Sequence, residues 1–197
     1  MGIRPNSALV MVNLQNDFFH DGAWPVPCAD QIVSRINEYI QLFWDKDLPI
    51  FASRDWHTPD AEQFTTNGGH LPPYCIRDSW GAEFNPNIQL PKTAIVLSKG
   101  TAESQSGESA FCGKDKRGHD LYDWLKALQV GYVYVCGLPF ETRVRVTAID
   151  ALQAGVRARV LMDATRSRNA MPGDEERAVL ELIGRGVHIQ SISQLRR

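Results

Sequence analysis

Charged and imidazole side chains follow two apolar runs of this sequence, where the strands of a parallel sheet would end. Lys99 comes directly after the run 93–98. Asp55 and His57 follow the run 48–53. A buried lysine is costly without a partner, so we expect Lys99 to line a pocket. An aspartate and a histidine two residues apart can both point at one metal ion, but zinc ordinarily takes three protein ligands. We therefore favour pairing of Asp55 with His57, or capping of the turn, over metal binding.

The stretch from Val135 to Gly155 is predicted to form the end of a buried strand, a tight turn and a helix. The apolar and aromatic run 132–136 indicates a strand buried on both faces, and Gly137 and Pro139 interrupt it. At such a turn in an open α/β sheet, ligands bind close to a helix N-terminus, whose free N–H groups can hold an oxyanion. We expect the functional site here.

The composition sets limits on the class of protein. At 197 residues with 43% hydrophobic content, the chain is long enough for one well-buried domain, and we expect residues 1–197 to form it. The net charge of −2 with mixed signs gives no basic face for nucleic acid. No apolar run approaches the roughly 20 residues that span a bilayer, and residues 1–9 lack the core of a signal peptide. We expect a cytoplasmic protein that does not associate with membranes, with its four widely spaced cysteines reduced.

Apolar runs alternate with helical patterns along the chain, which predicts right-handed crossovers and a parallel α/β sheet. Besides 132–136, the predicted strands are 8–14, 48–53, 93–98, 157–162 and 187–192. The helical patterns begin near residues 29, 118, 142 and 174. The last of these helices is predicted to bury Ala178, Val179, Leu182 and Ile183.

Two long loops are predicted to form the walls of a pocket. Residues 58–93 are rich in glycine and proline, and residues 104–116 are polar and contain glycine. Gln15, Asn16 and Asp17 are expected to fix loops through hydrogen bonds rather than to act in catalysis.

Several of these segments resemble the nicotinamidase and isochorismatase-like cysteine hydrolase superfamily. Residues 136–151 match its Cys-Gly and Val-x-x-Thr-Ala-x-Asp-Ala elements, residues 13–18 its Asp-x-Gln-Asn-Asp-Phe pattern, and residues 99–101 its Lys-Gly-Thr pattern. Matching segments continue to Arg166 and so cover about four fifths of the chain. The resemblance implies a three-layer α/β/α domain with a parallel sheet of about six strands, and assembly as a homo-oligomer.

The resemblance fails at the catalytic positions. The family's Asp-Lys-Cys triad falls on Asn13, Lys99 and Arg143. A carboxylate can take a proton from a thiol but an amide cannot, and arginine supplies no nucleophile. The resemblance therefore implies loss of both the general base and the thioester intermediate, with Lys99 as the one triad member retained.

The resemblance also identifies Asp55 and His57 with two ligands that nicotinamidases offer to a divalent metal. The other two ligand positions fall on Gln63 and Tyr74. His70 lies close enough in sequence to substitute for one of them. Because two ligands are too few for tight binding, we expect no cofactor, zinc included.

Three functions are compatible with these substitutions. We favour a catalytically silent relative that binds a small molecule or a partner protein. The first alternative is an amide (C–N) hydrolase of the nicotinamidase type with a relocated nucleophile: Cys112, Thr142 or a bound water, of which Cys112 is the most credible. The second is a structural or interaction protein with a closed pocket. The predicted ligand pocket comprises Phe18, Tyr74, Phe111, Phe140, Glu141 and Thr142.

The resemblance would place two cations, Lys99 and Arg143, around one pocket. Two unit charges about 4 Å apart interact by roughly 4 kcal/mol at an effective dielectric of about 20, so a negative group should be near. Within the chain it could be Glu141 or Asp55. The alternative is a bound small anion, a carboxylate or phosphate. We favour the internal salt bridge, because arginine is long enough to fill the space of a substrate.

Overall fold

Six parallel strands form one sheet in the computed structural model of the chain, which describes residues 2–102 and 107–195. The strands are β1 (Ser7–Val12), β2 (Ile50–Asp55), β3 (Ile95–Lys99), β4 (Tyr132–Gly137), β5 (Arg157–Thr165) and β6 (His188–Gln190). Their order across the sheet is β3-β2-β1-β4-β5-β6. The parallel α/β sheet predicted from the alternation of strands and helices is confirmed.

Helices cover both faces of this sheet and give it three layers. One face carries α1 (Val33–Trp44) and α5 (Ile192–Leu195), and the other carries α2 (Leu121–Ala127), α3 (Arg145–Gln153) and α4 (Asp174–Gly184). Because side chains alternate along a strand, Leu9 and Met11 of β1 pack in the α1 core, while Val10 and Val12 pack in the α3 core. The continuous apolar run that predicted this strand reflects burial on both faces.

Two strands extend two or three residues beyond their predicted ends, and β3 and β4 extend by one residue. The strand β2 reaches Asp55 rather than ending at Ser53, because its ladder with β3 continues to the pair Asp55 and Lys99. The strand β5 reaches Thr165 rather than Met162. Asp55 and Lys99 are therefore the last residues of adjacent strands, which fixes their distance more tightly than loop positions would.

Two other local predictions were wrong. Ile183 was expected to face inward, but its exposed fraction is 55%. It is one residue after Leu182, which is fully buried, and so it points about 100° around the helix from the buried stripe. The predicted strand 187–192 divides into β6 and the start of α5, because a turn begins at Ser191, whose N–H donates to the Gln194 side chain.

The loop between β2 and β3 is anchored by one buried carboxylate. Asp17 accepts hydrogen bonds from the backbone N–H groups of Ala23 (2.9 Å) and Cys75 (2.6 Å). Asp17 thus fixes loops, as expected.

In the second predicted loop, residues 103–106 lie outside the described residues. No helix in the described part of the chain is long and apolar enough to cross a membrane.

Candidate functional site

Four side chains of different chemistry meet at the carboxyl edge of the sheet. Asp55 and Lys99 end β2 and β3. Asn13 follows β1 in a left-handed backbone conformation, with a φ of 54°. Arg143 lies in a π-helical turn, Phe140–Val144, that connects β4 to α3. The strands β1 and β4 are the neighbours at which the strand order reverses, and ligands bind at this point in open α/β sheets.

The carboxylate of Asp55 is the centre of this group. Its Oδ1 accepts a hydrogen bond from Lys99 Nζ. Its Oδ2 accepts from Asn13 Nδ2 at 2.6 Å and from Arg143 Nε at 3.2 Å. Asp55 and Lys99 are fully buried, and Arg143 is 5% exposed. Of the two internal partners considered for Arg143, Asp55 makes the ion pair, whereas Glu141 accepts instead from the backbone N–H groups of residues 168 and 169.

Gln15 holds the backbone of Asp55 in place. Its Oε1 accepts from the Asp55 N–H at 2.7 Å, and its Nε2 donates to the Asp55 carbonyl at 2.6 Å. A second bond from Nε2 reaches the carbonyl of Ala82 in the long loop. The Gln-Asn-Asp segment after β1 therefore positions the charged group without entering it.

Burial and charge act against each other within this group. Burial alone would raise the pKa of Asp55, but the charges of Lys99 and Arg143 outweigh it and lower the pKa to about 2. Burial lowers the pKa of Lys99, and the Asp55 carboxylate opposes that shift. Burial would also lower the pKa of Arg143, but Asp55 and Tyr74 raise it. Asp55 is therefore a carboxylate at neutral pH, with two cationic partners.

The guanidinium of Arg143 is enclosed by aromatic rings. Its Nη2 donates to the Tyr74 hydroxyl at 2.8 Å. Its central carbon lies 5.7 Å from the Phe18 and Tyr74 ring centroids and 5.5 Å from that of Trp24. These distances allow cation–π attraction in a site with little water. Trp24 was absent from the predicted pocket, because no periodicity marks a tryptophan in a loop rich in proline and glycine.

The four positions that the resemblance relates to a metal do lie together. His57 Nε2 is 4.0 Å from Asp55 Oδ2, and Gln63 Nε2 is 3.2 Å from His57 Nε2 and 3.3 Å from the Tyr74 hydroxyl. However, Arg143 bridges Asp55 and Tyr74. An amide and a phenol are weak ligands, and a guanidinium beside the carboxylate competes with a cation. These residues do not fit a tight zinc site, and no group of three His, Cys, Asp or Glu residues elsewhere in residues 2–102 or 107–195 fits one either.

A cavity of about 690 Å³ opens beside Arg143. Tyr74, Glu141 and Thr142 of the predicted pocket line it, together with Trp24 and Arg168, which were not predicted. Phe18 is fully buried and contacts the Arg143 guanidinium beneath the cavity.

Two of the predicted pocket residues pack elsewhere. Phe140 is fully buried in the α3 core, and Phe111 packs against the same core. Phe140 is the first residue of the π-helical turn, and its side chain belongs to this core and does not line the cavity. Apolar burial explains both aromatic residues without a ligand.

No cysteine lies among the described residues that line the cavity. Cys75 and Cys136 are buried, and burial raises the pKa of both thiols. Cys112 is exposed and lines a separate depression of about 550 Å³ with Arg54, Ser98 and Lys114. A thiolate nucleophile at Cys112 would thus act outside the cavity that Arg143 lines. Lys99 was expected to line the pocket, but it is fully buried and is not among the residues that line this cavity.

Comparison with known proteins identifies the family of the chain. The Isochorismatase domain model matches residues 7–194. The chain is 30% identical to the nicotinamidase of Escherichia coli K12 over 205 residues, which covers 96% of each chain. This protein belongs to the nicotinamidase and isochorismatase-like hydrolase superfamily. It is also 31% identical over 166 residues to the nicotinamidase/pyrazinamidase of Mycobacterium tuberculosis, covering 83% of this chain and 88% of that protein.

Among solved structures, the zinc complex of the Pyrococcus horikoshii pyrazinamidase superposes on this member of the superfamily with a TM-score of 0.87. The two sequences are 40% identical, over 95% of this chain and 99% of that chain. The superfamily fold is thus retained along nearly the whole chain.

Proposed function

We propose that this member of the superfamily binds a small organic molecule in the 690 Å³ cavity without hydrolysing it. The observation that carries the proposal is the side chain at position 143, where the resemblance places the nucleophile. Arg143 provides no thiol, and its guanidinium is held by Asp55 and Tyr74.

Neighbouring residues support the same conclusion. A general base would have to accept a proton, but Asn13 presents an amide that donates to Asp55 Oδ2. Lys99 is retained, yet its ammonium group is fully buried and paired with Asp55. The side chains that would activate and stabilise a thiolate here form a closed ionic network instead. The cavity remains beside this network, which argues against the hypothesis of a closed pocket.

A second candidate is an amide hydrolase with a different nucleophile. The names of the relatives favour hydrolysis over silence, because they are a nicotinamidase, a nicotinamidase/pyrazinamidase and a pyrazinamidase. The chain would then need an activated water, or Cys112 brought to the cavity. The exposed thiol of Cys112 in a separate depression is the feature to test first.

We expect no ammonia release from nicotinamide or pyrazinamide above a buffer control, because no thiolate lines the described part of the cavity. The assay should compare wild type with Cys112→Ser. Saturable ammonia release that survives repeated purification would overturn the proposal. If Cys112→Ser abolished that release, the nucleophile would be identified as well.

We also expect less than one equivalent of zinc, iron or manganese after dialysis, because Asp55 is already bound by Lys99 and Arg143. Elemental analysis of the dialysed protein checks this expectation. One tightly held ion would contradict it, and loss of that ion in His57→Ala would locate it.

A further inference from the structure

We propose that the ligand of this cavity is a small organic anion whose carboxylate binds between Arg143 and Arg168. This inference rests on the proposed function and names the class of ligand. It also predicts that the site prefers an acid to the corresponding amide.

The first support is the balance of charge in the buried network. Asp55 is one carboxylate shared by two cations, Lys99 and Arg143, and all three are at most 5% exposed. An uncompensated charge is costly to bury, so this network favours an additional negative group nearby.

Arg168 adds a second guanidinium at the cavity, beside that of Arg143. It lies flat on Trp24, with its central carbon 3.8 Å from the ring centroid, and its Nη2 donates to the Trp24 carbonyl at 2.9 Å. Among the described residues no carboxylate forms an ion pair with this side chain, since Glu141 binds the Arg168 backbone N–H instead. Burial, and then the charge of Arg143, lower the pKa of Arg168 to about 10. The two guanidinium groups therefore repel each other at a shared cavity.

The other charged residues of the cavity leave this excess in place. Arg145 pairs with Glu181 at 2.7 Å, and Arg177 pairs with Asp174 at 2.6 Å. Counting Glu141 with Asp55 as negative, and Lys99, Arg143 and Arg168 as positive, one positive charge is uncompensated. Glu108 also lines the cavity, and its charge helps to raise the pKa of Arg143. Its side chain is exposed, however, so water and salt screen that charge, and we do not count it as a buried counter-charge.

The shape of the site favours a carboxylate attached to a ring. A guanidinium presents a planar fork of donors that matches a carboxylate. Trp24 and Tyr74 line the same cavity, with ring centroids 4.5 Å apart, and offer aromatic surface to a ring. An amide in place of the carboxylate would leave the charge excess unchanged.

The test is isothermal titration calorimetry of the full chain at low salt with nicotinate, nicotinamide and inorganic phosphate as probes. We expect nicotinate to bind at least tenfold more tightly than nicotinamide, and more tightly than phosphate. Arg168→Gln should weaken nicotinate binding at least tenfold and change nicotinamide binding by less than twofold. The matched control is Arg35→Gln on α1, whose side chain pairs with Glu38 at 2.9 Å. Neither residue lines the cavity, so both affinities should stay unchanged.

Several outcomes would overturn the inference. These are nicotinamide binding at least as tightly as nicotinate, nicotinate affinity unchanged by Arg168→Gln, or no binding of any probe to wild type. If phosphate bound more tightly than nicotinate, the inferred ligand would be a phosphate rather than a carboxylate, and the inference would be wrong. Nicotinate binding that appears only in Arg143→Ala would identify Arg143 as a plug. None of these outcomes concerns hydrolysis, so the absence of hydrolysis in the proposed function is judged separately by ammonia release.

Discussion

Replacing Asp55 by asparagine is expected to lower the free energy of unfolding by about 3–5 kcal/mol, because it leaves Lys99 and Arg143 as buried cations without a counter-charge. Asparagine has nearly the same shape, so little cavity energy enters the comparison. Urea denaturation of wild type and Asp55→Asn, followed by circular dichroism, measures the loss.

Two further variants separate charge from packing. Asp55→Asn combined with Lys99→Met removes one of the two buried cations that Asp55→Asn leaves without a counter-charge, and should recover part of the lost stability. Asp174→Asn removes the carboxylate of the surface pair with Arg177, while its amide oxygen can still accept from the Met171 N–H, and should cost less than about 1 kcal/mol. If Asp55→Asn were no more destabilising than Asp174→Asn, the buried ionic network would not hold the carboxyl edge of the sheet together.

Restoring the catalytic and metal-ligand residue types of the superfamily at four positions is expected to create a hydrolase. The variant combines Asn13→Asp, Arg143→Cys, Gln63→His and Tyr74→His, and is assayed with zinc. We expect ammonia release from nicotinamide to rise at least about 100-fold over wild type, since general base catalysis alone contributes about 10²–10⁴-fold. The metal ligands are included because Asn13 Nδ2 lies 2.6 Å from Asp55 Oδ2, where a second carboxylate would be repelled unless a cation replaced Arg143.

The matched control carries Arg143→Ser in place of Arg143→Cys and is otherwise identical. Serine at this position is a much weaker nucleophile, so activity should fall close to the wild-type level. Equal activity of the two variants would show that the thiol is not responsible. A folded, zinc-loaded variant without activity would show that residues beyond these four also separate this chain from a hydrolase.

The fold followed from the sequence because its signals are local and repeated. Apolar runs bounded by glycine and proline mark the strands, and the order of strands and helices allows one kind of parallel crossover. The polar residues at the ends of these strands could also be predicted. Asn13, Asp55 and Lys99 each follow or end an apolar run, so their sequence position places them at the edge of the sheet. The predicted strand ends were wrong where polar residues continue the backbone hydrogen bonding between strands, as at Asp55. Apolar content does not indicate which backbone groups are hydrogen-bonded.

The rest of the site depends on loops and side-chain directions that no periodicity encodes. Trp24 and Arg168 come from loops 144 residues apart in the sequence and stack on each other at the cavity. Phe140 was assigned to the pocket by its place after β4, yet its ring packs in the α3 core. The choice between Asp55 and Glu141 as partner of Arg143 was likewise open, because both lie within reach of a long side chain.

The central claim, binding without hydrolysis, is tested most directly by incubating wild type with equimolar nicotinamide and following the sample by proton NMR for several days. At this ratio even one slow turnover per molecule is visible, whichever nucleophile is used. The account predicts that nicotinate does not form above the rate in buffer. Formation of nicotinate in proportion to protein concentration, unchanged in a second purification, would contradict it.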